Sequence, residues 1–107
     1  MKKVTMQHDL FVNPRRRARA IYPFVVVLQT DIVEREGRIV APLTTTSIVP
    51  TPPRRVLPLV SHDGEDYVVM MRLLGYKSAR HLGQPVGSIS RYRNDLTRAL
   101  DWLFFRI

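Results

Sequence analysis

Cysteine is absent from the 107 residues, which removes disulfides, zinc–thiolate centres and thiol nucleophiles together. A chain without cysteine suits a reducing compartment, so a cytoplasmic location is expected. Long apolar runs are missing too, none exceeding the five residues of Phe24-Val25-Val26-Val27-Leu28. A membrane-spanning helix needs about 20 such residues, so no membrane association is expected. The opening Met1-Lys2-Lys3-Val4-Thr5-Met6-Gln7-His8 is charged with no apolar stretch behind it, which predicts no secretory signal. Acidic residues are scarce: 9 against 17 Lys and Arg, a net charge of +8 and a pI near 10.8. That imbalance predicts an acidic partner, either nucleic acid or an acidic protein segment. What is present is ordinary for a globular chain, 45% hydrophobic and 24% charged. The length fits a single domain over residues 1–107 and leaves little chain for a deep catalytic cleft.

Strand signals occupy the first two thirds. Leu10 and Phe11 close a short apolar segment that Asn13-Pro14 breaks. The stretch Ile21-Tyr22-Pro23-Phe24-Val25-Val26-Val27-Leu28-Gln29 is dense in β-branched and aromatic residues and predicts a strand, with Pro23 near its start or on an edge. Gly37 is expected to turn the chain into a second strand over residues 38–43. A stiff Thr51-Pro52-Pro53-Arg54-Arg55 loop precedes a third strand over 56–60. His62-Asp63-Gly64-Glu65 reads as a hairpin turn leading to a strand over 67–71. The end differs. Ile89, Leu96, Ala99, Leu100, Leu103, Phe104 and Ile107 recur at helical spacing, so a C-terminal amphipathic helix is expected over about residues 88–105, with Ser88 or Ser90 as its N-cap. Strands followed by one helix predict a mostly β fold, a small barrel or sandwich carrying a terminal helix.

No catalytic constellation is visible. His8, His62 and His81 lack a second ligand at metal-binding spacing, and no cofactor is expected. Asp63, Glu65 and Asp66 surround Gly64 without the 12-residue spacing of a calcium loop. The glycines form no phosphate-cradling pattern, and no serine sits in a nucleophile elbow. Arg15, Arg16, Arg17 and Arg19 read as a solvated hairpin tip, the alternative being an electrostatic hold on phosphates with Tyr22 and Phe24 nearby. Trp102, Phe104 and Phe105 fall in the last six residues. They either anchor the helix on the barrel or, where they face solvent, supply binding hot spots.

Several segments share one order and spacing with a known family. They are Asn13-Pro14 and Tyr22-Pro23; Gln29-Thr30-Asp31-Ile32 followed by Gly37-Arg38-Ile39-Val40-Ala41-Pro42-Leu43; and Leu57-Pro58-Leu59-Val60 with Met70-Met71. The ending adds Leu82-Gly83, Val86, Ile89-Ser90, Asn94-Asp95, Ala99-Leu100 and Leu103-Phe104-Phe105-Arg106-Ile107. From about Asp9 to Ile107 the chain resembles the CcdB family, toxins of plasmid and chromosomal toxin–antitoxin modules that poison DNA gyrase, a type II topoisomerase. The resemblance implies an SH3-like β-barrel with a C-terminal helix, shared with the MazF and Kid ribonuclease toxins. It also implies a homodimer that inserts its paired C-termini into the gyrase A subunit, and a CcdA-like antitoxin with an acidic disordered tail. Operator DNA is then bound only through the antitoxin, and inhibition by binding needs no catalytic residue.

On that resemblance the target-binding positions are Ile32, Val33, Asp101, Phe104, Phe105, Arg106 and Ile107. Three depart from the family pattern, whose terminal Trp-Gly-Ile here reads Phe105-Arg106-Ile107 and whose exposed helix Asn here reads Asp101. The Phe loses contact area and an indole donor, the Arg adds bulk and charge, and the Asp must be desolvated. Each change is expected to cost about 1–3 kcal/mol of affinity for a standard gyrase. The alternative functions are therefore a relative that no longer poisons gyrase and acts on another target, and a MazF-like endoribonuclease. The second would have to use groups such as Arg38, Thr44, Thr45 and Thr46 in the barrel groove. An apolar surplus, Val25 and Val27 together with the helix residues, also points to a dimer.

Overall fold

A computed structural model of the chain describes residues 6–29, 37–50 and 53–105. Seven antiparallel strands form a nearly closed, barrel-shaped sheet: β1 Asp9–Val12, β2 Phe24–Val27, β3 Gly37–Thr45, β4 Leu59–His62, β5 Glu65–Val69, β6 Gly75–Ser78 and β7 Gly87–Ser88. One helix, α1 Arg93–Phe105, follows them. The strand order is β4-β5-β3-β2-β1-β7, with β6 pairing on β3. The nine-residue β3 holds the barrel together. Its residues Val40 to Leu43 pair with β2, while its far edge takes β6 along Gly37 to Val40 and β5 along Leu43 to Thr45. The expected mostly β barrel with a terminal helix is therefore the fold of the chain.

Period-2 alternation sorts the side chains of β2. Val26, with Leu28 after the strand, enters the main core with Leu10, Ala41, Leu43, Val60, Val69, Met71 and Leu96. Val25 and Val27 enter a second cluster with Phe11, Val40 and Leu82. Both faces of β2 are thus covered, which explains its unbroken apolar run. This corrects one expectation. Val25 and Val27 are 2% and 1% exposed within a single chain, so they offer nothing to a second copy.

Several boundaries also move. The strand expected over 21–29 is confined to Phe24–Val27, with Pro23 just ahead of it, where its missing N–H is harmless and its carbonyl accepts from Asn13. Over 56–60, Val56 and Leu57 instead turn back, their N–H groups donating to the Pro53 carbonyl, and pairing starts only at Leu59. The β4–β5 hairpin closes on Asp63 and Gly64, both at positive φ (51° and 78°), the Asp-Gly turn that matches strand twist. Residues 88–92 are not α-helical. Gly87 and Ser88 pair with β1, Ser90–Tyr92 form a 3-10 turn, and neither serine caps α1 through its side chain. The Ser88 hydroxyl instead accepts the Ser90 N–H at 3.2 Å. Tyr92 ties this start to the sheet, its hydroxyl accepting the Ser61 N–H at 3.0 Å.

Gly37 proves to be the first residue of β3 rather than a turn, and the Tyr76 ring lies over it. An added Cβ would run into that ring. Gly37→Ala is expected to lower the midpoint of thermal unfolding by roughly 5–10 °C, a cost of about 1–2 kcal/mol. Adding Tyr76→Ala should restore most of the loss, and a double mutant no better than additive would contradict the contact.

His8 sits at the entry to β1 at positive φ (71°), 5% exposed. Its N–H donates to Val27 and its carbonyl accepts from Ile89. Burial, then the Arg93 charge, hold its imidazole below the usual value of 6.5. The native chain consequently binds fewer protons here than the unfolded chain. The His8 contribution to stability is complete above pH 6.5 and declines as pH falls from there to the depressed native value. His8→Asn, which tolerates the backbone angle, should flatten that limb of a denaturation-versus-pH curve. An unchanged acid limb would show that other groups set it.

Candidate functional site

The last two turns of α1 expose what its first two bury. Leu96 and Ala99 are in the core, and Leu100 and Leu103 pack against it as partly buried neighbours. Phe104 and Phe105 follow at 57% and 79% exposure. Phe104 falls within the helical spacing of the apolar stripe, and of its two readings, barrel anchor or solvent-facing contact, its exposure fits the second. Asp101 is exposed as well. Positions i, i+3 and i+4 of a helix share one face, so Asp101, Phe104 and Phe105 form one carboxylate-and-aromatic patch. Trp102 is half-buried, with the Arg55 guanidinium 5.2 Å above its ring centroid, which pins the residue 53–57 turn to the helix. The anchoring role fits Trp102 and fails for Phe104. Ile32, Val33, Arg106 and Ile107 lie outside the described residues, so the structure brings together three of the seven expected positions.

The arginines before β2 form an exposed 3-10 turn, Arg16–Ala18. Asn13 organises it: its side-chain N–H donates to Tyr22, its Oδ1 accepts from Arg15, and its carbonyl accepts the Arg19 Nε at 2.6 Å. Phe24 is unavailable for stacking beside it, because its ring sits edge-on against His62 and Tyr67 at centroid distances of 5.3 and 5.4 Å. A hollow of about 270 Å³ opens next to the turn, with Val25, Val40 and Pro42 at its floor and Arg15, Tyr76 and Lys77 at its sides. Among the described residues no Asp or Glu lines it. The sequence reading missed Tyr76 and Lys77 because their strand carries too little apolar character to register.

The groups considered for ribonuclease chemistry are not assembled. Thr44 is fully buried and donates its hydroxyl to the Ile21 carbonyl at 2.7 Å. Thr45 shares a hydrogen bond with Ser47. Arg38 is buried and donates to the Gly37 carbonyl. Six residues of extended β3 separate Arg38 from Thr44, about 20 Å. Asp63, Glu65 and Asp66 are exposed around the hairpin. Among the described residues no three His, Asp or Glu side chains gather in a metal-holding group, and no helix is long and apolar enough to cross a membrane.

A search of curated proteins finds no match. The family model described as CcdB protein matches residues 7–105. That span takes in the barrel, the arginine turn and the whole of α1 up to its exposed aromatic pair, so the chain belongs to the CcdB family, a membership that points to a toxin of a toxin–antitoxin pair.

Proposed function

We propose that this chain inhibits DNA gyrase by binding its A subunit through the end of α1, and that it performs no catalysis of its own. The observation that carries the reading is the exposure of Phe104 and Phe105 on a helix whose other large apolar residues are wholly or partly covered. Leaving two adjacent aromatic side chains in water forfeits about 2 kcal/mol or more each, a loss that a partner surface recovers. Asp101 supplies the polar edge of that patch, and Arg106, Ile107, Ile32 and Val33 complete the surface in this proposal. A homodimer doubles it, presenting two helix ends to the two-fold gyrase A subunit. Sedimentation at micromolar concentration is expected to give a dimer, and a monomer throughout would count against this part.

The antitoxin partner follows from the family. Its binding segment is proposed to be acidic and disordered, drawn by the net +8 charge and by the hollow beside Arg15 and Lys77, which no Asp or Glu lines among the described residues. Association should weaken as salt is raised, since the Debye length falls from about 10 Å at 0.1 M to about 3 Å at 1 M. Operator DNA is reached only through the antitoxin, and the chain works in the cytoplasm.

The deciding experiment is a cleavage-complex assay with gyrase from the source organism and a parallel RNA-cleavage assay. Trapped cleaved DNA with intact RNA supports the proposal. RNA cut in the absence of gyrase would replace it with the ribonuclease reading. The departures at Asp101, Phe105 and Arg106 favour one second reading, a relative that spares gyrase and acts elsewhere, for which both assays would be blank.

A further inference from the structure

Charge is spread unevenly along the chain. Residues 10–30 and 67–94 hold nine Arg and Lys and no Asp or Glu. The fold sets part of one stretch against part of the other. A hollow of about 360 Å³ is lined by Pro14 and Arg15 at the arginine turn and by Lys77 and His81 from β6 and the 3-10 turn Ala79–His81 that follows it. It shares Arg15 and Lys77 with the 270 Å³ hollow beside that turn, and among the described residues no Asp or Glu lines either. Arg16, Arg17 and Arg80 are exposed on the two turns at its sides. Among the described residues the ion pairs are His62 with Asp63 and Arg98 with Asp95, and the side chains of Arg15, Arg16, Arg17, Lys77 and Arg80 have no partner. The first three of these stand on a turn already ordered by the buried Asn13, whose amide donates to Tyr22 and accepts from Arg15. Five uncompensated cations on ordered backbone are a standing invitation to a polyanion.

We propose that this face holds the phosphate backbone of duplex DNA without reading its sequence. Four of the five cations are arginines, whose planar forks match phosphate oxygens two at a time. A duplex offers one negative charge per about 1.7 Å of its axis, enough to engage both turns at once. Single strands are held by stacking bases on free aromatic rings, and this face has none to spare. Phe24 is covered by His62 and Tyr67, and Tyr22 is half-buried. Tyr76 alternates with Lys77 along β6 and carries its ring over Gly37. An acidic protein segment would meet the same cations, but a peptide anchor would find little apolar surface, because Val25 and Val40 at the floor are each 2% exposed. Since no base edge is read, operator recognition stays with the antitoxin. The inference does not rest on the gyrase reading, although it would keep the free chain close to DNA-bound targets.

The test is fluorescence anisotropy of the full chain, without gyrase or antitoxin, against labelled duplexes of two unrelated sequences. Both should bind alike. Five phosphate contacts predict a log–log salt slope of about −4.5, a fall in affinity of about 500-fold between about 50 and 200 mM salt. Arg16→Gln with Arg17→Gln should make that slope shallower by about 2, and Arg80→Gln by about 1. Arg98→Gln, an equal loss of charge on α1, should leave it unchanged. All four side chains are exposed, so unchanged thermal midpoints verify that each variant is folded. No binding at about 50 mM salt, or slopes unaltered by the variants at Arg16, Arg17 and Arg80, overturns the proposal. An effect of Arg98→Gln as large as that of Arg80→Gln overturns it too, since net charge alone would then explain the attraction. Tighter binding of a single strand of equal length, or of an oligoglutamate of equal charge, would reassign the face to unpaired bases or to an acidic protein segment.

Discussion

Phe105→Ala is expected to reduce gyrase inhibition by at least about 30-fold while leaving the thermal midpoint within about 2 °C of wild type. Truncating a central aromatic hot spot costs about 2 kcal/mol or more of binding, whereas a side chain 79% exposed contributes little to folding. Phe104→Ala should behave similarly, with a slightly larger stability cost because that ring is partly covered. The departures from the family pattern allow a sharper version. Phe105→Trp with Arg106→Gly should raise inhibition of a standard gyrase, and Asp101→Asn should add to it by removing a charge that must be desolvated. Against a gyrase matched to this chain the same changes should reduce inhibition. Growth arrest and cleavage-complex formation would be measured for both proteins against both enzymes. No difference in any combination, with folding verified, would sink the assignment of this patch.

Phe11→Ala should be the most damaging single truncation in the second cluster, costing about 3–5 kcal/mol and lowering the thermal midpoint by roughly 15–25 °C. Phe11 is fully buried against Val25, Val27, Val40 and Leu82, and its pairing register sets it opposite Val25 on β2. Because every one of these contacts lies within one chain, the loss should be the same at low and high protein concentration. A loss that shrinks as concentration rises would mean that a second copy helps to cover this cluster.

The difference between Val25 and Phe104 shows what a sequence of this kind can and cannot carry. Local signals were strong where one physical cause dominates. Three consecutive valines made β2, an Asp-Gly pair made the β4–β5 turn, and an uninterrupted helical stripe made α1. The strands β6 and β7 left no such trace. Gly75-Tyr76-Lys77-Ser78 and Gly87-Ser88 contain one large apolar residue between them, and they pair along stretches of β3 and β1, Gly37 to Val40 and Asp9 to Leu10, whose backbone groups would otherwise lack a partner strand. Burial was the harder quantity. Val25 and Val27 read as surplus because Leu82, far along the chain, gave no sign that it returns to cover them. At the candidate site the helical spacing ran on through Phe104 without deciding between its two readings. Only the docking of Leu100 and Leu103 against the core determines that the stripe stops there.

The edges of the sheet bear on how this protein behaves when its level outruns that of its antitoxin. An exposed strand edge is a template on which other chains can add, and long flat edges drive fibril growth. Here the sheet path ends on one side in β7, two residues long, and on the other in β4, four residues long. Among the described residues a third margin without a partner strand belongs to β6, where Lys77 sits mid-strand. Stubs of this length offer an incoming strand too few hydrogen bonds to repay its ordering, and the lysine adds charge repulsion between identical copies. Surplus protein should accordingly persist as dispersed, target-competent molecules rather than being withdrawn into aggregates, so that restraint on it has to come from a binding partner or from proteolysis.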